Sequence, residues 1–183
     1  MGAEGPGLFG RPAPRLEDRA LLRGEGRFLD DLAPAGRLSA VFVRSPHAHA
    51  AFGPVDLSAA RGAPGVVAAF AAADLRPWLA SDRLVVALPS KSLLLAADRP
   101  ILAEGETAHV GEAVALILAE SRAAAEDAAA LVDIDFDPLP AVADCRDALA
   151  ADAPRAHRSL PDNRLGRMTF AYGDVDAAFA RAA

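Results

Sequence analysis

The chain has 183 residues, 52% of them hydrophobic and 24% charged, with a formal net charge of -6 at pH 7. That is enough apolar content for one domain with a core, and the composition is not that of a disordered chain. Lys91 is the only lysine and Cys145 the only cysteine, which argues against nucleic-acid binding and excludes an internal disulfide, a four-cysteine zinc site or a cysteine-ligated iron–sulfur cluster.

Met1 to Pro14 is punctuated by glycine and proline and reads as an extended arm without the apolar stretch of a signal peptide. The longest apolar runs, 66–73 and 113–119, are too short to cross a bilayer. With a single cysteine suiting a reducing compartment, a cytoplasmic location is expected. Arg15–Leu22 is expected as a short helix ended by Gly24 and Gly26, and Arg27–Asp31 as an extended piece. Leu38–Arg44 reads as a strand with Leu38, Ala40 and Phe42 on one face and Val41 and Val43 on the other, both faces covered. Ser45-Pro46 interrupts it, and His49–Leu57 resumes as a strand broken near Gly53-Pro54. Ser58 is placed as the cap of a one-turn helix through Arg61, followed by a turn at 62–65 and a strand from Val66 to Phe70. Residues 74–100 read as a long irregular loop.

Val110–Leu118 is the strongest buried strand, with Gly111 inside it marking a bulge or a close backbone approach. Ser121 caps a helix over Arg122–Ala130, whose apolar residues repeat at helical spacing. Val132, Ile134 and Phe136 then alternate with Asp133, Asp135 and Asp137, the period of a strand with one solvated face. Asp144 is placed as the cap of a short helix through Ala150, residues 151–172 as loop, and Asp174 as the cap of a last helix, Val175–Arg181. The expected class is α+β, a mixed sheet of short strands with a few short helices.

No residue pattern here makes a self-sufficient active site. His47 and His49 would face one side of a regular strand and seed a metal site, but a catalytic zinc needs a third ligand; turn or interface histidines are expected. Asp133, Asp135 and Asp137 are followed by Pro138 where a calcium loop needs glycine. Gly24-x-Gly26 has Leu29 where a dinucleotide fingerprint needs a third glycine. Glu17, Asp18, Glu104 and Glu106 read as solvated carboxylates. Glu112, beside Gly111 in an apolar run, needs a partner or a strand edge, because an unpaired buried charge is costly; an arginine of this chain or of a partner is one such partner. Cys145 reads as a half-buried structural cysteine.

A family resemblance extends over about Arg15 to Phe179. Its pieces are Arg15-Leu16-Glu17-Asp18 with Gly24, Gly26 and Phe28–Asp31; Phe42-Val43-Arg44-Ser45-Pro46-His47-Ala48-His49-Ala50; Val55-Asp56-Leu57-Ser58; Pro64-Gly65-Val66-Val67-Ala68; Ala73-Asp74-Leu75; Arg99-Pro100-Ile101-Leu102-Ala103; Val110-Gly111-Glu112-Ala113-Val114-Ala115; 132–142; and Gly173-Asp174-Val175-Asp176-Ala177-Ala178-Phe179. In this order and spacing they resemble the N-terminal α/β hammerhead domain of the molybdenum-binding large subunit of the xanthine dehydrogenase, aldehyde oxidase and aerobic carbon monoxide dehydrogenase family. His109 stands where an aromatic is more typical, and the stretch from Asp162 to Phe170 is shorter than usual.

The resemblance implies a structural part of an oxidoreductase, divided into an arm (1–14), the hammerhead domain (15–150) and an extension (151–183) leading towards the molybdenum-binding region. That region, with the loops that hold molybdopterin and the glutamate base, belongs to polypeptide beyond Ala183. No catalytic, cofactor-binding or metal residue is therefore carried over, and the 183-residue chain alone is expected to be inactive. Iron–sulfur clusters and usually FAD are implied on other domains or subunits. An apolar docking surface is expected at Trp78 and Leu79, beside Pro77, and at Val175, Ala178 and Phe179. Two readings stand beside this one: a stand-alone binding or adaptor module reusing the fold, and a small metalloenzyme built on His47 and His49.

Overall fold

The structure, a computed structural model, describes residues 10, 12, 14–84, 99–166, 170 and 172–182. Most of the expected arm and residues 85–98 of the expected loop lie outside the described residues. By contact the chain divides into two compact units, 1–37 and 38–183.

The first unit holds α1 (Asp18–Leu22) and a 3-10 turn at Leu29–Asp31, with no buried residue in either. The helix is shorter than the sequence predicts because Arg15 folds back on Asp18, donating from its backbone N–H (3.1 Å) and its Nε (2.8 Å) to that carboxylate. Arg27–Asp31 is not simply extended: the Asp31 carboxylate accepts the Phe28 N–H at 2.8 Å and closes a turn.

In the second unit the chain runs through β1 (Ser39–Arg44), β2 (Ala50–Phe52), α2 (Ser58–Arg61), β3 (Val66–Ala71), α3 (Ala72–Leu75), β4 (Arg83–Leu84), β5 (Arg99–Pro100), β6 (Glu106–Thr107), β7 (Ala113–Ala119), α4 (Arg122–Ala129), β8 (Phe136–Pro138) and α5 (Val175–Arg181). Short strands and short helices match the expected class. Instead of one mixed sheet, the strands among the described residues form three small sheets, ordered β1-β7-β3, β6-β2-β8 and β4-β5, with antiparallel pairing between neighbours.

The main core lies between the first sheet and α4. Ala115, Ile117 and Ala119 of β7, Ala125 and Ala128 of α4, and Ala60 of α2 are all fully buried, joined by Ala69 and Leu57. Most of these are alanines, which lets helix and sheet backbones approach closely around Ile117. Ser121 starts α4 as expected, its hydroxyl accepting the Ala124 N–H at 3.2 Å. Ser121→Ala is expected to destabilise the chain by about 1 kcal/mol, measurable as a lowered urea midpoint.

A second core joins Phe52 of β2, Ala103 and Val114 of β7, with Ile134 and Phe136 packed against it. Val132, Ile134 and Phe136 are half-buried while Asp133, Asp135 and Asp137 are exposed, the alternation read from the sequence. Only Phe136–Pro138 is paired as a strand; Asp133 instead makes an isolated bridge to Asp56.

Several local expectations shift. Leu57, not Ser58, stands at the N-cap of α2 and offers no side-chain cap; Ser58 is already the first helical residue, and the carboxylate of Asp56 accepts its N–H at 2.8 Å. The irregular stretch 74–100 contains the end of α3, a 3-10 turn at Arg76–Trp78, and β4 and β5. The strand expected at Val110 begins at Ala113, because Gly111 occupies a turn with φ +84°. Asp144 holds Arg146 rather than a full helix, and only a 3-10 turn at Asp147–Leu149 follows. Asp174 caps α5 as expected, accepting the Ala177 N–H at 2.9 Å.

The two faces of the β1-β7-β3 sheet differ from the expectation that both are covered. Paired antiparallel residues share a face. Val43, Ala115 and Ala71 point with Ile117 into the main core. Phe42 and Phe70 flank Leu116, and Ala40 and Ala68 flank Leu118, on the opposite face. None of those six residues belongs to either core cluster, and Phe42 is 43% exposed. At the edge of this sheet, Arg61 donates from Nε (3.1 Å) and Nη2 (3.0 Å) to the Ala69 carbonyl, while Asp74 accepts the Ala71 N–H at 2.9 Å.

Candidate functional site

Within the stretch that carries the resemblance most clearly, Ser45 to His49 fold as a non-strand crossing between β1 and β2. Pro46 removes a ladder donor here, so the backbone polar groups find other partners. Ser45 N–H donates to the Glu112 carbonyl (2.9 Å), and Gly111 N–H donates to the Ser45 carbonyl (2.8 Å). The Ser45 hydroxyl, buried, accepts the His47 N–H and shares a hydrogen bond of 3.1 Å with Thr107. The turn at Gly111 thus holds the crossing in place. A Cβ added at Gly111 would meet nothing within 4 Å, so its requirement is conformational. Gly111→Ala is expected to cost roughly 1–2 kcal/mol, read as a lower thermal midpoint.

His47 and His49 do not converge. His47 sets its ring edge-on to Phe136, with centroids 5.3 Å apart. His49 is buried, and both ring nitrogens are engaged: Nδ1 with the Pro140 carbonyl at 2.9 Å and Nε2 with Glu106 Oε1 at 2.8 Å. A carbonyl can only accept, so Nδ1 carries a proton. Among the described residues no group of three or more His, Cys, Asp and Glu is placed to hold a metal ion. These histidines fasten the crossing to its neighbours.

Glu106 is the centre of the arrangement and not a solvated carboxylate. Its Oε1 also accepts the Arg158 backbone N–H at 2.9 Å and lies 3.3 Å from Arg158 Nε. Burial pushes its pKa up, but hydrogen bonds from His49 and the Arg158 backbone, with the nearby positive charge, outweigh that and hold it below the usual glutamate value. This one oxygen ties β6, the crossing and the 151–166 segment together. A small cleft of about 160 Å³ adjoins it, lined by Glu104, Glu106, Glu112, Arg76 and His157 among others. Arg76 and Glu104 pair across it.

Glu112 is buried, just ahead of β7. Its carboxylate accepts the Ala108 N–H at 2.6 Å and lies 3.7 Å from His109 Nδ1. The partner is a backbone donor with a histidine nearby, not the arginine that was one of the alternatives. Cys145 is exposed rather than half-buried.

The residues expected to dock a neighbour fall in two places. Trp78 is 84% exposed at the end of a 3-10 turn, and Leu79 beside it is half-buried. On α5, Val175 and Ala178 are exposed, and Phe179 is 77% exposed. Neither group belongs to a core cluster. The pairing of Glu106 with His49 and Arg158 was not foreseen: these residues lie 57 and 52 positions apart in the chain, and no local spacing signals it.

The chain resembles known proteins over nearly all its length. Residues 23–140 match the aldehyde oxidase and xanthine dehydrogenase a/b hammerhead domain. The nicotine 6-hydroxylase large subunit of Paenarthrobacter nicotinovorans is 41% identical over 175 residues, which are 96% of this chain and 21% of that protein. The carbon monoxide dehydrogenase large chain of Afipia carboxidovorans is 35% identical, over 83% of this chain and 18% of that protein. Among solved structures, quinoline 2-oxidoreductase from Pseudomonas putida 86 superposes with a TM-score of 0.75 at 36% identity, covering 92% of this chain and 21% of that one. The chain thus spans about a fifth of the length of these relatives. By sequence match and fold together, it belongs to the aldehyde oxidase and xanthine dehydrogenase a/b hammerhead family.

Proposed function

We propose that this chain is the front structural part of a molybdenum hydroxylase large subunit, present as a domain or as a split subunit. The observation that carries this reading is the match over 96% of the chain to only 21% of a relative. Substrate oxidation then belongs to the molybdenum-binding remainder, with iron–sulfur and flavin subunits or domains of the same complex taking the electrons.

The described residues of this chain do not fit a molybdopterin. The ring nitrogens of His49 and the shared oxygen of Glu106 are engaged with one another and with backbone groups. Among the described residues no buried side-chain nitrogen or oxygen lacks a partner. No reaction step is therefore assigned to this chain, and alone it is inactive.

Its work is to fold and to dock. The hammerhead domain occupies 15–150, and 151–183 leads towards the remainder. Trp78, Leu79, Val175, Ala178 and Phe179 form docking contacts, a reading supported by the exposure of Trp78 and Phe179. Among the described residues no helix is long and apolar enough to cross a membrane, and a single cysteine suits the cytoplasm.

The test is a pull-down of the tagged chain from its native cells with metal analysis of the eluate. Recovery of a larger polypeptide with molybdenum is expected. A clean, metal-free monomer would overturn the reading and leave a stand-alone adaptor that reuses the fold.

A further inference from the structure

We propose that residues 148–163 form a closed loop that is latched to the domain through the Glu106 carboxylate, and that swings free as an intact unit when that carboxylate takes up a proton. The latch is a property of this chain itself, whatever polypeptide it is joined to.

The loop is closed by its own side chains. Asn163 donates from Nδ2 to the carbonyls of Ala148 (3.1 Å) and Pro154 (2.9 Å), and its Oδ1 accepts the Ala156 N–H at 2.7 Å. Arg155 Nη1 donates to the Leu160 carbonyl at 3.1 Å. One amide side chain thus joins the first residue of the segment to its last. This is the build of an Ω-loop, a compact surface loop whose ends meet and whose own side chains pack it. An open cavity of about 460 Å³ lies between its arms, lined from 148–155 and 161–164.

The hold on the domain is narrow. None of residues 148–163 is buried, and none belongs to either core cluster. Among the described residues, the hydrogen bonds from 150–163 to 38–143 all run through Arg158. Its N–H donates to Glu106 Oε1 at 2.9 Å, its Nε lies 3.3 Å from the same atom, and its Nη2 donates to the Gly105 carbonyl at 3.3 Å. That oxygen also contacts His49 Nε2 at 2.8 Å, so it serves both the loop and the crossing. Hydrogen bonds to an ionised group are roughly twice as strong as those between neutral groups, and a proton on Glu106 removes that advantage. Arg158 is the partner that lets go, because its exposed side chain can turn to water while His49 is buried.

The other ionisable groups lining the cleft beside Glu106 are Asp82, Glu104, Glu112, Arg76, Arg83 and His157. Glu104 pairs with Arg76, Glu112 with the Ala108 N–H and Asp82 with Arg83. Among these carboxylates Glu106 is the one whose hydrogen bonds reach the loop. Burial raises its pKa, and the hydrogen bonds from His49 and the Arg158 N–H, with the positive charge beside it, bring it below the ordinary value of 4.5. A carboxylate whose pKa is lowered by the latch favours the latch above 4.5 and gives it up as pH falls through the latched value.

The test reads the backbone N–H residual dipolar couplings of the partly aligned 183-residue chain by NMR. Near neutral pH the couplings of 150–162 should follow one alignment together with those of β7. In Glu106→Gln they should shrink together and fit an alignment of their own, while β7 keeps its couplings and the Asn163 side-chain amide keeps its resonances. The same separation is expected in the wild-type chain below pH 4.5. Loop couplings that stay with β7 in both cases would show that another contact holds the loop, and would overturn the proposal. Couplings that collapse one by one, with the Asn163 resonances lost, would mean that the loop melts, and would overturn it too. So would loss of the β7 couplings at the same pH as those of the loop. Should Glu106→Gln not fold, Arg158→Ala removes only an exposed guanidinium. Release should then come at higher pH than in the wild type, and an unshifted release would overturn the proposal.

Discussion

Ile117→Ala is expected to remove about 4 kcal/mol of unfolding free energy. Ile117 is fully buried and heads the largest buried side chains. Its neighbours in the core are mostly alanines, Ala60, Ala69, Ala115, Ala119, Ala125 and Ala128. An alanine has no rotamer with which to fill a void, so the cavity left by Ile117 stays nearly full size, which places the cost high in the range for such changes. Ile117→Val should cost only about 1 kcal/mol. Leu116→Ala, one residue away on the uncovered face, should cost far less than Ile117→Ala in the isolated chain, because its side chain is still partly in water. Urea unfolding of the three variants checks the order through the shift in midpoint. Equal losses at 116 and 117 would show that both faces are covered.

The second large effect is at Glu106. Glu106→Gln keeps the shape but removes the charge that gathers His49 Nε2, the Arg158 N–H and Arg158 Nε around one oxygen. His49 is buried and loses its anionic partner. The expected loss near neutral pH is about 2 kcal/mol, the cost of leaving a buried polar group poorly matched, with the Arg158 contact discounted because that side chain is half in water. The pH dependence follows from the lowered pKa. Unfolded, Glu106 takes up its proton near 4.5; folded, it does so at lower pH. Below its ordinary value the unfolded state therefore binds more protons, and stability falls with falling pH. The contribution is fully present above 4.5 and is lost as pH drops through the native value. Wild type and Glu106→Gln should accordingly differ near neutral pH and converge in strong acid. A constant difference across that range would show that the charge of Glu106 plays no part.

What the sequence made legible was local. Ser121 and Asp174 are read as caps because the donor each satisfies lies three residues on. The aspartate alternation over 133–137 is visible because a strand repeats every two residues. The start of β7 was misplaced because Val110, Ala113 and Val114 are equally apolar, and only the positive φ of Gly111 separates turn from strand. Ser58 falls inside α2 rather than at its cap because the helix starts one residue earlier than its side chain suggests, with the Ser58 N–H held by Asp56, which the bridge to Asp133 fixes in place. The holding of His49 and of Arg158 by Glu106 depends on contacts more than fifty residues apart, which no window along the chain contains. The uncovered face was hidden for a related reason: alternation tells that both sides of a strand are apolar, not how many helices the fold has to cover them.

The fork of Arg61 on the Ala69 carbonyl has a consequence for aggregation. Val66–Ala71 is an outer strand of six uncharged residues without proline, the composition that lets strands of different molecules add edge to edge. Ala69 and Ala71, two residues apart, turn their free backbone groups to the same outer edge. Arg61 occupies the acceptor at one, and Asp74 the donor at the other. This edge is thereby plugged by the chain's own charged side chains, so that misassembly of the free chain is directed away from strand addition at β3.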